Sequence, residues 1–471
     1  METYTGIEFF TSNFNELIYK YVSLPLGYMN YPFRTTSGNY KSQKMKRFLL
    51  PVFLLFLSAI MHSQQRDLNY YLVQARENSP LIQKNKNDTK IIDLDFKITQ
   101  SILKNPVINL ESNILFAPII SHTTNSNRLD IVSNGSESYS GYDLAITNGG
   151  QYQAFITFKQ PLLGNSNLKA YSLKSDISKR KNTSSTDLTI HEIEQLVSYQ
   201  YILCVKSKVQ IKNENQLIKQ LDDQLSIMQK LVENAVFKRT DLLLLQIEKQ
   251  NQELNNKSFE ADYKSNLFDL NILCGINDTN KVDILESELQ MKPEKKSDSQ
   301  FLTSYKLDSM GIVADQNISE LKYRPQLNLF ANAGLNAVYL PAFNRLGMSA
   351  GLTFSWNIYD GDQRKFEKEK SYLNIQSLQY DKNNFMTQQD INKNKIKSQI
   401  NSLTERTILV ENQITQYDKL YAAYQNELKQ GLISVMDFKN LLKDITAKKQ
   451  DFLLLKMEKE LLINSYNYWN Y

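Results

Sequence analysis

The chain has 471 residues, enough for two or three ordinary domains or one elongated one. Its 15 glycines and 10 prolines are few for that length, and Lys, Asn, Gln, Leu, Ile and Ser dominate, which suits long polar helices better than a compact enzyme. The formal charge of +5 comes from interleaved Lys and Glu, so the sequence holds no basic patch of the kind that nucleic-acid binding requires.

Two cysteines, Cys204 and Cys274, are too few for a disulfide scaffold, and no CxxC occurs. The histidines, His62, His122 and His191, stand apart from one another and from the cysteines. Neither a metal site nor a histidine-based triad is expected, and no cofactor and no catalysis.

The first strong signal is "MKRFLLPVFLLFLSAIMHSQ", residues 45–64. Two positive charges precede about a dozen mostly apolar residues, the pattern of a secretory signal. The run is too short for a comfortable membrane-spanning helix. A secretion signal normally leads the chain, so Met45 is expected to be the true start and residues 1–44 an upstream extension. The alternative is a genuine extension with a buried apolar helix at 48–60.

Residues 67–104 carry apolar residues at helical spacing: Leu68, Leu72, Ala75, then Ile91, Leu94, Ile98 and Leu103. Asn105-Pro106 stops this helix. A strand is expected at about 106–118, then a Ser/Asn/Gly-rich loop to about 150, then a second strand at about 150–162. In the latter Tyr152, Ala154, Ile156 and Phe158 alternate with Gln153, Phe155, Thr157 and Lys159. Long helices follow over 165–273. Residues 65–275 form a first structural repeat, and 276–297 a linker.

Residues 298–471 read the same way. A helix at about 298–323 is stopped by Arg324-Pro325, and strands follow at about 325–340 and 347–359. The second places Met348, Ala350, Leu352, Phe354, Trp356 and Ile358 on one face and Ser349, Gly351, Thr353, Ser355 and Asn357 on the other. Long helices are expected over 362–468. From the second strand onward the copies keep an offset of 196 residues: Thr157-Phe158 against Thr353-Phe354, Asp241 against Asp437. Upstream, Pro106 against Pro325 gives 219, because the first hairpin loop is longer. The sequence is a tandem duplication of helix, two strands and long helical hairpin.

The long helices lack Pro and internal Gly over about 70 residues. In the first, Ile190, Val197, Cys204, Ile211, Ile218, Leu225 and Val232 recur every seventh residue. In the second, Ile396, Leu403, Val410, Tyr417 and Tyr424 form one row, and Ile400, Ile414, Tyr421 and Leu428 another. Sustained heptads mean coiled-coil packing, and each helix is roughly 100 Å long. The helices turn back at 235–240 and 431–434. Strands of about 10–14 residues with one apolar face have the length of tilted membrane-spanning strands. A soluble β-domain with that face on its own core is the competing reading. Four strands cannot close a barrel, and open edges are not tolerated in lipid, so a secreted oligomer follows.

The chain resembles the TolC-like outer-membrane efflux proteins. The resemblance rests on "ENSPLIQ" at 77–83, "KNPVINL" and "YRPQLNL" at the helix-to-strand steps, and "FKQPLLGN" and "FSWNIYDGDQRK" at the strand-to-helix steps. It also rests on "LFDLNILCG" and "LKQGLISVMDFKNLLKDITAKKQDF", and covers residues 67–471. It implies a homotrimer with a twelve-stranded β-barrel among the lipids of a Gram-negative outer membrane. Below it, the resemblance implies a twelve-helix α-barrel through the periplasm. It also implies a periplasmic adaptor and an inner-membrane transporter of the resistance-nodulation-division or ABC type, for efflux or type I secretion. The alternative is a periplasmic coiled-coil adaptor or scaffold without a pore.

The resemblance places the helical turns at the narrow periplasmic tip. Asp437 matches the first of the acids that ring the closed aperture there, while the second position is Asn440. Gly431 matches the family glycine, and Ile433 stands where arginine is favoured. Asp241 occupies the corresponding place in the first copy. Read from the residues alone, Ser434-x-x-Asp437 is a helix-capping box, and capping and gating can coexist.

Overall fold

The computed structural model describes residues 66–117, 119–123, 126–130, 139–140, 149–280, 282–295, 299–338 and 346–471. The expected signal at 45–64 and the extension at 1–44 lie outside them. Helices α1 (Leu68–Asn78) and α2 (Pro80–Lys104) lead to strand β1 (Val107–Ala117), then β2 (Ile119–Thr123), β3 (Ser126–Asp130), β4 (Tyr139–Ser140) and β5 (Gly149–Pro161). Helices α3 (Gly164–Glu233) and α4 (Arg239–Leu273) follow. After the linker come α5 (Gln300–Ser319) with a 3-10 turn at Glu320–Tyr323, strands β6 (Gln326–Val338) and β7 (Leu346–Ser355), and helices α6 (Gln363–Lys429) and α7 (Val435–Trp469).

Three expectations are corrected. The helix read over 67–104 is two, because Pro80 drives Ser79 out of helical geometry, to ψ 121°. Ser79 N–H still closes on the Ala75 carbonyl at 3.1 Å, while the ring of Pro80 starts α2. The loop between β1 and β5 is partly structured, since β2 pairs with β3 and β4. The last strand ends at Ser355 rather than 359: Trp356 turns its indole N–H to the Tyr323 carbonyl at 3.2 Å.

Strands β1, β5, β6 and β7 form one antiparallel sheet in that order. Register aligns the apolar residues in rows across it: Ile108–Phe158–Ala331–Ala350, then Leu110–Ile156–Ala333–Met348. Ile108, Leu110, Ile114, Ile156, Met348, Leu352 and Phe354 are all exposed on that face. The other face aligns Asn109–Thr157–Asn332–Ser349, and Lys159 reaches Glu111 at 3.0 Å. Phe155 fits this polar face because it pairs with Gly334, where a Cβ would lie 2.5 Å from Phe155 Cβ.

Helix α3 has 70 residues and α6 has 67, which at the α-helical rise makes each about 100 Å long. The apolar heptad row of α3 is fully buried at Val197 and Cys204 but half-buried from Ile211 downward. The row buried along the length is Gln200, Ser207, Glu214, Leu221 and Met228. Two of its polar members have partners across the hairpin: Gln200 donates to the Asn266 carbonyl at 3.1 Å, and Asn266 donates to Ser207 Oγ at 3.0 Å, whereas Glu214 Oε2 is buried without a hydrogen-bond partner among the described residues. In α6, Ile396, Ile400, Leu403 and Leu428 are buried, and the other members of both expected rows are half-buried, as is Thr407 at the gap.

One core joins α1, α3, α4 and the linker around Tyr71, Val197, Tyr201, Tyr263, Leu267 and Ile284. Cys204 and Cys274 are free thiols inside it, and burial pushes both up to about 12, so neither is a nucleophile at neutral pH. The linker is strapped down by Tyr201, which donates to the Leu285 carbonyl at 2.5 Å, and by Tyr263, which donates to Val282 at 2.7 Å. A second core lies at the helical turns, described below. Smaller clusters join α6 to α7 and α3 to α7.

Candidate functional site

The two long hairpins reverse direction by the same device. Val236 N–H bonds the Leu231 carbonyl at 2.9 Å, and Leu432 N–H bonds the Glu427 carbonyl at 2.9 Å. Each is the long closing bond of a Schellman motif, which needs one residue in left-handed geometry. Those residues are Ala235, at φ 60°, and Gly431, at φ 72°. Glycine carries that conformation without strain, whereas alanine pays for its Cβ. Ala235→Gly is therefore expected to stabilise the first turn by about 1 kcal/mol, read as a higher melting temperature of the helical circular-dichroism signal.

The returning helices are each capped around an aspartate in the first turn, by different bonds. Lys238 N–H donates to Asp241 Oδ2 at 3.0 Å. Asp437 N–H donates to Ser434 Oγ at 3.1 Å, and that hydroxyl donates to Asp437 Oδ2 at 2.6 Å. The capping reading of Ser434-x-x-Asp437 is thus what the geometry contains. Asp437 and Asn440 are exposed, one helical turn apart, and Asp241 is half-buried.

The turns come together. A Cβ built on Gly431 would lie 3.2 Å from Val236 Cγ1, so the second turn rests against the first. Beneath them Leu221, Met228 and Leu245 of the first hairpin share a core with Leu428, Val435, Phe438 and Leu442 of the second. Ile433, at the position where the resemblance favours arginine, packs into this core instead of reaching outward. Lys439 bridges to Glu248 at 3.5 Å and adds an ionic tie between the hairpins.

The sequence pattern singled out the cap and the glycine but missed Phe438 and the Lys439–Glu248 pair. Phe438 carried a signal: it sits at the buried position just after the capping acid, as Leu242 does in the first turn. The pair carried none, because its partners are distant in sequence. Among the described residues no group of three or more His, Cys, Asp or Glu could hold a metal ion, and no helix is long and apolar enough to cross a membrane.

No protein-family pattern and no curated protein matches the sequence. Solved structures do match. CusC, described through transmembrane channel formation, is 9% identical with a TM-score of 0.64, over 86% of this chain and 92% of its own. The CmeC outer membrane channel of Campylobacter jejuni is 11% identical with a TM-score of 0.61, over 95% and 93%. The outer membrane protein VceC of Vibrio cholerae is 10% identical with a TM-score of 0.60, over 86% and 95%. The chain has the fold of these TolC-like channels, mostly helical with a small sheet, over nearly their whole length.

Proposed function

We propose that this chain, built on the TolC-like channel fold, is the outer-membrane duct of a tripartite efflux or type I secretion system. The observation that carries the reading is the four-stranded sheet. One face is largely apolar, with Ile108, Leu110, Ile114, Ile156, Met348, Leu352 and Phe354 exposed on it, the opposite face is mostly polar, and the outer edges of β1 and β7 have no partner strand within the described residues. Unpaired backbone in hydrocarbon costs several kcal/mol per group. Three chains pairing β7 to β1 would close twelve strands, with lipid outside and water inside. The recurrence of the same turn bond 196 residues apart, with an aspartate capping the returning helix each time, supports a tandem duplication as the origin of the two halves.

The helices support the same assembly. Helix α2 exposes an apolar stripe of Leu81, Ile91, Leu94, Ile98 and Ile102, and α6 exposes Phe366, Leu373, Tyr380 and Ile391. A soluble monomer has no use for such stripes, whereas neighbouring protomers of a twelve-helix stalk would cover them. The stalk would cross the periplasm of a Gram-negative cell and present its turns to an adaptor and an inner-membrane transporter. The duct passes cargo and carries out no chemistry.

Asp437 is assigned to the aperture as well as to its cap. Three exposed carboxylates on one axis would attract cations, and Lys439 close by would temper that field. The test is planar-bilayer conductance with outer-membrane fractions run as heat-modifiable trimers. Trimers with large conductance are expected, and Asp437→Ala is expected to weaken block by divalent cations. A detergent-free soluble monomer would overturn the duct. Unchanged block in the variant would remove only the gate role.

A further inference from the structure

A cavity of about 600 Å³ opens where α3 meets α6 and α7, away from the turns. Val205, Val209, Ile414, Phe452 and Met457 give it apolar walls. Glu460 also lines it and is only 6% exposed. Among the described residues its carboxylate accepts one long hydrogen bond, from Leu289 N–H at 3.4 Å, and stands in no ion pair. The other charges are Glu286 and Glu288 from the linker, Glu411 from α6, and Lys449 and Lys456 from α7, while α3 contributes the neutral Asn213 and Gln216. Lys456 is held by Glu288 at 2.5 Å, and Glu286 faces Lys212 at 3.8 Å. Glu460, against apolar walls, thus has no cation within ion-pair distance among the described residues, and only the more distant field of Lys456 favours its charge, which leaves its burial costly.

We propose that this cavity is a binding site for amphiphilic organic cations. The apolar body lies against Phe452 and Met457, and the positive centre sits at Glu460. The volume is that of a site for a drug-sized molecule. A bare inorganic cation would gain nothing from the apolar walls, and a neutral apolar molecule would leave Glu460 unpaired. Burial raises the pKa of Glu460 and outweighs the Leu289 N–H and Lys456, which favour the ionised acid, while Glu288 adds to the rise. The bound cation favours the ionised acid, so affinity falls as pH drops and Glu460 takes up its proton. The site does not depend on the duct reading.

The test is calorimetric titration of tetraphenylphosphonium into the full chain in detergent, against matched empty micelles. One saturable site per chain is expected, weakening as pH falls. Glu460→Gln keeps the size and loses the charge, and should weaken binding by about tenfold or more. Met457→Trp should fill the cavity and abolish binding. Tetraphenylborate, of the same shape and opposite charge, should not bind saturably. Absence of saturable binding to the unmodified chain overturns the proposal, as does equal affinity in Glu460→Gln or equal binding of the borate. Bilayer conductance of the same preparations reads the duct separately.

Discussion

Ile156→Arg is expected to abolish assembly into outer membranes, while Ser349→Arg is tolerated. Ile156 lies in the middle of β5, is 54% exposed, and is flanked in its row by Leu110 and Ala333. If that face meets lipid, a midplane arginine costs about 2–4 kcal/mol. In a homotrimer the cost is incurred three times. Ser349 has the opposite orientation, beside Asn332, whose amide donates to its hydroxyl at 3.4 Å. An arginine there would face water. Heat-modifiable trimer yield in membrane fractions measures both. On a soluble sheet with the apolar face against its own core the contrast would take another form. Ile156→Arg would then unfold the chain, and the material would be degraded instead of accumulating in a soluble fraction.

The period of two in the strands was legible because the side chains alternate strictly, and the faces came out as read. What period two does not report is where a partner strand ends. Trp356 and Ile358 continue the apolar alternation, yet the ladder stops at the Gln326–Ser355 pair. Pro325 precedes Gln326 and has no N–H to extend it. The β5–β6 pairing, which joins the two halves of the chain into one sheet, was illegible because its partners are far apart in sequence and no local turn announces it.

In the helices, missing Pro and Gly announced the length, but apolar spacing misplaced part of the seam. The face buried along α3 includes Gln200, Ser207 and Glu214. A pattern that counts apolar residues passes over such positions, because what makes Gln200 and Ser207 tolerable is a partner on another helix. The Ser79-Pro80 break was legible in principle from the proline alone, yet the apolar periodicity on either side read as continuous. At the turns, local chemistry was readable: the cap is an interaction between residues three apart, and Gly431 has the left-handed geometry its type favours. The contact between turns, Gly431 against Val236, was not.

Phe438→Ala is expected to uncouple the two turns and to leave the rest of the fold standing. Phe438 is 0% exposed and lies against Tyr421, with ring centroids 5.7 Å apart, inside the core shared by both hairpins. Truncating a buried phenylalanine costs about 3–5 kcal/mol, because a cavity replaces packed atoms. The ionic tie between the hairpins at the turns is the Lys439–Glu248 bridge at 3.5 Å, with Lys439 about a quarter exposed. Lys439→Met, which removes it, should cost no more than about 1 kcal/mol. Packing therefore dominates over the ion pair in holding the turns together. The sheet and the core around Tyr201 and Tyr263 share no residue with the turn cluster. Hydrogen exchange should rise in Phe438→Ala over residues 221–245 and 428–442 and stay unchanged near Tyr201. If the turns close a duct, the same variant should also show a larger resting conductance, and Lys439→Met a small change. Equal effects of the two variants would place the coupling in the charges and defeat the packing argument.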